Sequence, residues 1–164
     1  MTIRYYLPPI VALIALLTPA VAPAQVAPGR DQNFDAGWNF SRGDHQGADQ
    51  PGFNDAEWRK LDLPHDWSIE GPIAETNSSG FRGGFVPTGI GWYRKHFTLS
   101  PDAAGKTIFI QFDGVMANSD VYINGFALGH RPNGWVSFQY DLTGHVTFGP
   151  DKPNVIAVRC DNSA

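Results

Sequence analysis

Apolar and polar residues alternate with a period of two through most of the second half of the chain. In KTIFIQFDGV, Ile108, Ile110 and Phe112 fall on one side, the signature of a half-buried strand. WYRKHFTL places Tyr93, Phe97 and Leu99 together and Trp92, Arg94, His96 and Thr98 opposite them. Lys95 interrupts the apolar face, and its stem is expected to pack while its head reaches water. WVSFQYDL sets Val136, Phe138 and Tyr140 against Ser137 and Gln139, and NVIAVRC closes the series. In SDVYINGFALGH the Asn124-Gly125 pair predicts a type I′ hairpin with Val121 and Ile123 on one face. Short strands spaced by roughly 8–12 residues, with turns between them, predict an all-β sandwich. No internal repeat and no helix of βαβ length interrupts this pattern.

The first half reads differently. APGRDQNFDAG is a flexible lead into Trp38-Asn39-Phe40, and SRGDHQGADQPGFNDAEW is polar, turn-rich and expected to be mostly irregular. Asn54 to Trp58 could close one short helical turn capped by Asn54 or Asp55. Gly47 lies in this irregular part, where alanine is expected to cost little, in contrast to Gly125 at the hairpin. WRKLDLPHDW then runs into a turn at Pro64. In GGFVPTGIGWYRKHF, Gly83, Gly84, Gly89, Gly91 and Pro87 crowd in front of a strand. A plain connector needs fewer such residues, so the shape of this loop matters.

The N-terminus changes the picture of where the protein acts. Arg4 precedes an apolar run over residues 7 to 17, broken by Pro8 and Pro9, and Ala22-Pro23-Ala24 is a cleavage signature before Gln25. A membrane span needs about 20 continuous apolar residues, which this run does not supply. The expected organisation is a signal peptide over 1–24, a flexible lead over 25–35 and one sandwich over 36–164, exported by a bacterium to the periplasm or the exterior. The chain carries 12 Lys+Arg against 16 Asp+Glu, a net charge of −4, which becomes more negative once Arg4 is removed. Without a basic cluster, neither nucleic acid nor an anionic membrane is an expected partner. Cys160 is the single cysteine, so no intrachain disulfide can form and stability must come from a packed core. With 17% charged residues, 18 glycines and 13 prolines, the composition favours strands and turns.

Catalytic patterns are sparse. There is no G-x-S-x-G elbow and no G-x-G-x-x-G, and no two of His45, His65, His96, His130 and His145 lie within five residues of each other. No metal or cofactor is therefore expected. Glycosidase chemistry needs two positioned carboxylates, and nothing in the spacing of Glu57, Glu70 and Glu75 sets two of them across a bond. No catalytic residue is assigned. His65-Asp66 reads as a polar pair in the Pro64 turn, bonding to backbone and fixing the approach of Trp67, because adjacent residues in a strand point apart. Trp92 and Trp135 could stack on sugar rings or fill the core, and Asp113 suits a turn as well as a ligand. Asn77-Ser78-Ser79 matches a glycosylation triplet that matters only in a eukaryotic secretory route.

Four blocks taken together, LPHDWSIEGP (63–72), GIGWYRKHF (89–97), FDGVMANSDVYINGFALGHRPNGWVSFQYDLT (112–143) and NVIAVRCDNS (154–163), resemble the N-terminal domain of glycoside hydrolase family 2. More narrowly they are similar to secreted bacterial β-galactosidases, over residues 36 to 163. The resemblance implies a jelly-roll sugar-binding domain, followed in the family by an immunoglobulin-like domain and a (β/α)₈ barrel that carries the catalytic glutamates. It implies a carbohydrate partner, a β-galactoside engaged through the barrel. Family members usually continue past DNSA, so the resemblance implies a truncated or fragmentary product, inactive alone. Cys160 stands where the family has an aliphatic residue, a tolerated core substitution. Asn77 to Gly91 looks like the loop that in relatives walls the sugar pocket, and it makes Asn77, Gly84, Gly89 and Trp92 the candidate substrate contacts. A free-standing carbohydrate-binding module and a purely structural sandwich remain alternatives, as does a loop that touches no ligand.

Overall fold

Alternation in the sequence becomes pairing in space. The computed structural model describes residues 1–6 and 32–163. Its strands are β1 (Thr2–Tyr6), β2 (Gln32–Asn33), β3 (Trp38–Arg42), β4 (Arg59–Leu61), β5 (Ile90–Phe97), β6 (Thr107–Phe112), β7 (Ser119–Ile123), β8 (Phe126–Arg131), β9 (Phe138–Asp141) and β10 (Asn154–Asp161). They form a four-stranded sheet, β2-β1-β6-β9, and a six-stranded sheet, β4-β3-β5-β10-β7-β8, antiparallel throughout. The expected all-β architecture of two antiparallel sheets is what the chain adopts. Ile108, Ile110 and Phe112 of β6 meet Trp38, Tyr93, Val121, Ile123, Ile156 and Val158 of the larger sheet in one apolar cluster.

The larger sheet is covered on its outer face as well. Trp92 and Ala157 pack there with Ala48, beneath Phe53 and Trp58 of the segment read as irregular. That segment has little regular structure, but it is anchored. Arg94, fully buried, donates from Nε to Asp55 Oδ2 at 2.9 Å and from Nη1 to the carbonyls of Ala48 and Gln50. Burial alone would push the Asp55 carboxyl up, but hydrogen bonds from Arg94 and His96 outweigh it and hold the group below the usual carboxylate range. Asn54 to Trp58 form a turn rather than a helix: Asn54 Oδ1 accepts from Ala56 N at 3.1 Å, and the chain passes at once into β4.

Two expectations are corrected. The head of Lys95 does not simply reach water. Its ammonium donates to the carbonyls of Phe34 and Ala36 and sits 3.9 Å from the centre of the Phe34 ring, because the turn before β3 brings these backbone acceptors to it. Gly47, expected to accept alanine cheaply, has φ of +81°, a left-handed backbone that a Cβ strains.

Thr2–Tyr6, inside the segment read as an export signal, form β1 and pair along β6 from Thr2↔Gln111 to Tyr6↔Thr107. The Met1 ammonium is ion-paired with Asp35. The remainder of that signal and the lead as far as residue 31 lie outside the described residues. Residues 32–35 do take part in the fold, since β2 pairs with β1 and Phe34 is buried edge-on against Trp38.

The β7–β8 hairpin has the predicted turn, with φ of 50° at Asn124 and 84° at Gly125, and Val121 and Ile123 are both buried. A Cβ at Gly125 would also come within 3.0 Å of Gln50 Oε1. Gly125→Ala is therefore expected to cost about 1 kcal/mol or more. Gly144→Ala, at a site with open space and no positive φ, is expected to stay within about 0.5 kcal/mol of the parent. Urea melts decide the comparison, and matching midpoints for Gly125→Ala and the parent would rule out the turn assignment.

Candidate functional site

The connection from Leu61 to Ile90 carries the proline and glycine punctuation of the sequence, and its own polar groups hold it. Asp66 Oδ1 accepts from Ser68 N at 2.8 Å, a local turn that drops Trp67 into the core. Asn77 Nδ2 donates to Pro72 O at 2.8 Å and to Phe85 O at 2.7 Å. Ser79 Oγ donates to Val86 O at 2.8 Å, and Ser78 Oγ is bonded to Thr88 Oγ1. Side chains thus satisfy backbone groups that a sheet would otherwise satisfy. At its base the loop is latched to the residue after β10: Gly89 N donates to Asn162 Oδ1 at 2.8 Å, Asn162 N to Gly89 O at 3.0 Å, and Asn162 Nδ2 to Ser68 Oγ at 2.9 Å.

Two glycines of the loop have separate physical reasons. Gly89 adopts φ of +136°, which favours glycine, and Gly91 makes room. A Cβ at Gly91 would stand 3.0 Å from Phe40 Cε2 and 3.1 Å from Trp67 Cζ3. The tied-down loop leaves three apolar side chains in solvent: Ile69 at 76%, Ile73 at 72% and Phe81 at 87% exposure.

Behind the loop a cavity of about 600 Å³ opens between the sheets, walled by Trp38, Trp67, Tyr93, Phe112 and Cys160 and edged by Asp66, Asp113 and Asn162. Burial pushes the Tyr93 phenol well up, and its hydroxyl is hydrogen-bonded to His65 Nδ1 at 2.7 Å. His65 Nε2 lies 3.2 Å from Glu70 Oε1, a close contact outside linear hydrogen-bond geometry. Arg59 grips both oxygens of Glu70 at 2.7 and 2.8 Å, and this pairing holds the carboxyl down to about 2. A line of contacts therefore runs from solvent at Arg59 to the cavity wall at Tyr93.

Glu70, held ionised, has no proton to give as a general acid, and burial pushes the Cys160 thiol up to about 12, far from a thiolate. Glu57 and Glu75 are exposed and do not line the cavity. Trp67 Nε1 is buried with no hydrogen-bond partner among the described residues, a donor left for something else.

A family model described as the glycosyl hydrolase 2 galactose-binding domain-like type matches residues 59–164. The chain belongs to glycosyl hydrolase family 2. β-Galactosidase BoGH2A of Bacteroides ovatus is 53% identical over 138 residues, which is 84% of this chain and 16% of that protein. A β-glucuronidase of Formosa agariphila is 38% identical over 132 residues, 79% of this chain and 13% of its own length. The crystal structure of a β-glycosidase from Bacteroides vulgatus matches with a TM-score of 0.76 at 47% identity, over 80% of this chain and 17% of that one. The chain spans only a small part of each relative, and it corresponds to the galactose-binding-like N-terminal domain of the family.

Within this family 2 domain the four candidate contacts separate. Asn77, Gly84 and Gly89 share the loop: Asn77 commits both amide hydrogens to it, Gly84 ends the short 3₁₀ turn Phe81–Gly83 in a left-handed conformation, and Gly89 forms the latch. Trp92 sits on the outer face of β5, only 4% exposed, with Nε1 donating to Asp44 Oδ1 at 3.1 Å. Of the two readings open for the tryptophans, the core takes Trp92 and solvent takes Trp135, which is 84% exposed. Asp66 bonds to backbone as expected, but His65 bonds to the side chain of Tyr93 instead, because β5 brings that phenol up beneath it. Asn162, which closes the loop, carries no local signal in the sequence.

The Glu70 pairing has a pH consequence. A carboxyl depressed in the fold adds stability above its ordinary value of 4.5, and the contribution is lost as pH falls from there through about 2. The urea midpoint of the parent is expected to drop more steeply across this window than that of Glu70→Gln. Equal acid slopes for the two proteins would show that the Arg59–Glu70 pair contributes nothing.

Proposed function

We propose that this chain is the sugar-binding and supporting jelly-roll domain of a β-galactosidase-type retaining glycosidase, whose catalytic glutamates belong to a separate barrel domain. The observation that carries the reading is the braced loop: a rigid, latched backbone presenting Ile69, Ile73 and Phe81 to solvent is suited to packing against another domain. Docked in this way, Asn77 to Gly91 would form one wall of the pocket for the terminal sugar. The cavity with its free Trp67 N–H lies directly behind.

The test is a graft. The isolated chain is expected to release nothing from an aryl β-galactoside. BoGH2A stripped of its matching segment is expected to be inactive, and to recover when this domain is fused in its place. The same graft with Phe81→Ser is expected to lose about tenfold in kcat/KM or to dissociate its domains at lower urea. A stripped enzyme that works unaided, or a Phe81→Ser graft equal to the parent graft on both measures, would sink the proposal.

We further propose export, supported by Arg4, the short apolar run and Ala22-Pro23-Ala24. N-terminal sequencing of the secreted or periplasmic product is expected to begin at Gln25. Retention of Met1 in an exported product would contradict it. Cleavage there would also release β1, so the strand beside β6 differs between precursor and product.

A further inference from the structure

Trp135 belongs to neither apolar cluster, yet its backbone is fixed. Its N–H donates to Asn133 Oδ1 at 2.8 Å, and Ser137 Oγ donates to Asp113 O at 3.1 Å. The loop before β7 and the loop before β9 touch through two glycines. A Cβ at Gly134 would fall 2.6 Å from Met116 Sδ and 2.7 Å from Met116 Cα, and one at Gly114 would fall 2.7 Å from Gly134 O. Only residues without a Cβ permit this approach, and the braced backbone presents the indole to solvent at 84% exposure.

Beside the indole lies an open hollow of about 370 Å³ lined by Met116, Ala117, Pro132, Asn133, Gly134 and Trp135. Met116 also lines the cavity behind the loop, so the two hollows adjoin. The lining carries no charge. It offers two side-chain donors, Asn133 Nδ2 and Trp135 Nε1, that meet no acceptor among the described residues. An aromatic plane with donors at its edge matches a hexopyranose, whose C–H face stacks while its hydroxyls accept. An aliphatic protein side chain would leave both donors unanswered, and an anionic ligand would find no cation in the lining.

We propose that Trp135, with Asn133 and Met116, forms a saccharide-binding platform for a hexopyranose of a neutral, β-galactosyl-bearing glycan. It adjoins the loop cavity but acts without it, and binding is read without turnover, so its failure would leave the proposed role in a glycosidase standing.

The experiment is native electrophoresis of the full chain in gels with and without soluble β-1,4-galactan. The parent is expected to be retarded by the glycan. Trp135→Ala is expected to lose about tenfold in apparent affinity, and Trp135→Phe to keep part of it, both at the parent's melting temperature because the side chain is exposed. Asn133→Ala is expected to weaken retardation further than any change in melting temperature explains. A parent that is not retarded, or a Trp135→Ala variant retarded like the parent, overturns the proposal. So does Trp135-dependent self-association in sedimentation, which would give the surface to a second copy of the chain.

Discussion

The guanidinium of Arg94 is the constraint on which the architecture rests. It lies in the middle of β5 with no exposure and holds a carboxylate and two backbone carbonyls of the segment that roofs the outer face of the larger sheet. The ion pair itself adds little net stability against an apolar replacement, because two charges have been taken from water. Its importance lies in what is stranded without it: Asp55 would be a buried carboxylate left to His96 and Asn39, without its guanidinium, a loss of about 3–5 kcal/mol by analogy with broken buried pairs. The roof also keeps Trp92 and Ala157 out of solvent and packs against the half-buried Tyr122. With its outer side fixed in this way, β5 presents Gly91 and Tyr93 inward, and on those two residues hang Trp67, His65 and then Glu70. The loop geometry is thus an indirect consequence of a cation on the opposite face of the same strand.

What could be read from the residues alone follows the range of the forces involved. The hairpin at Asn124-Gly125 and the alternation of β6 are local, period-two statements, and both appear in the fold as read. Alternation also assigned Arg94 its face, but it could not show that another segment covers that face, so the arginine's burial was invisible. Lys95 misled for the opposite reason, since its acceptors come from the chain before β3. The contacts that shape the site are longer still. His65 meets Tyr93 across the β4–β5 connection, and Gly89 meets Asn162 from the far end of the domain. The glycine-rich stretch announced that a loop of special shape was present, while its bracing by Asn77, Ser78 and Ser79 emerges only in three dimensions.

Within glycosyl hydrolase family 2 the chain corresponds to the galactose-binding-like N-terminal domain. Each group that might react is pinned by its surroundings: Glu70 by Arg59, the Tyr93 phenol by burial, and the imidazole between the two. In the relatives this unit is a small fraction of the whole protein, and the sharing of one sandwich by enzymes named β-galactosidase and β-glucuronidase means that the fold alone does not choose the sugar. Any such choice must be written in loops and side chains of the kind that differ between them.

Cys160 gives the domain an incidental property of practical use. The only thiol in the chain lies on β10, buried in the cluster shared by both sheets, with its proton retained by its apolar surroundings. Although it borders the cavity between the sheets, its 2% exposure and retained proton make it slow to react while the layers stay together. The rate at which a thiol-specific probe consumes it under native conditions therefore reports opening of the cavity and of the sheets around it rather than surface fraying.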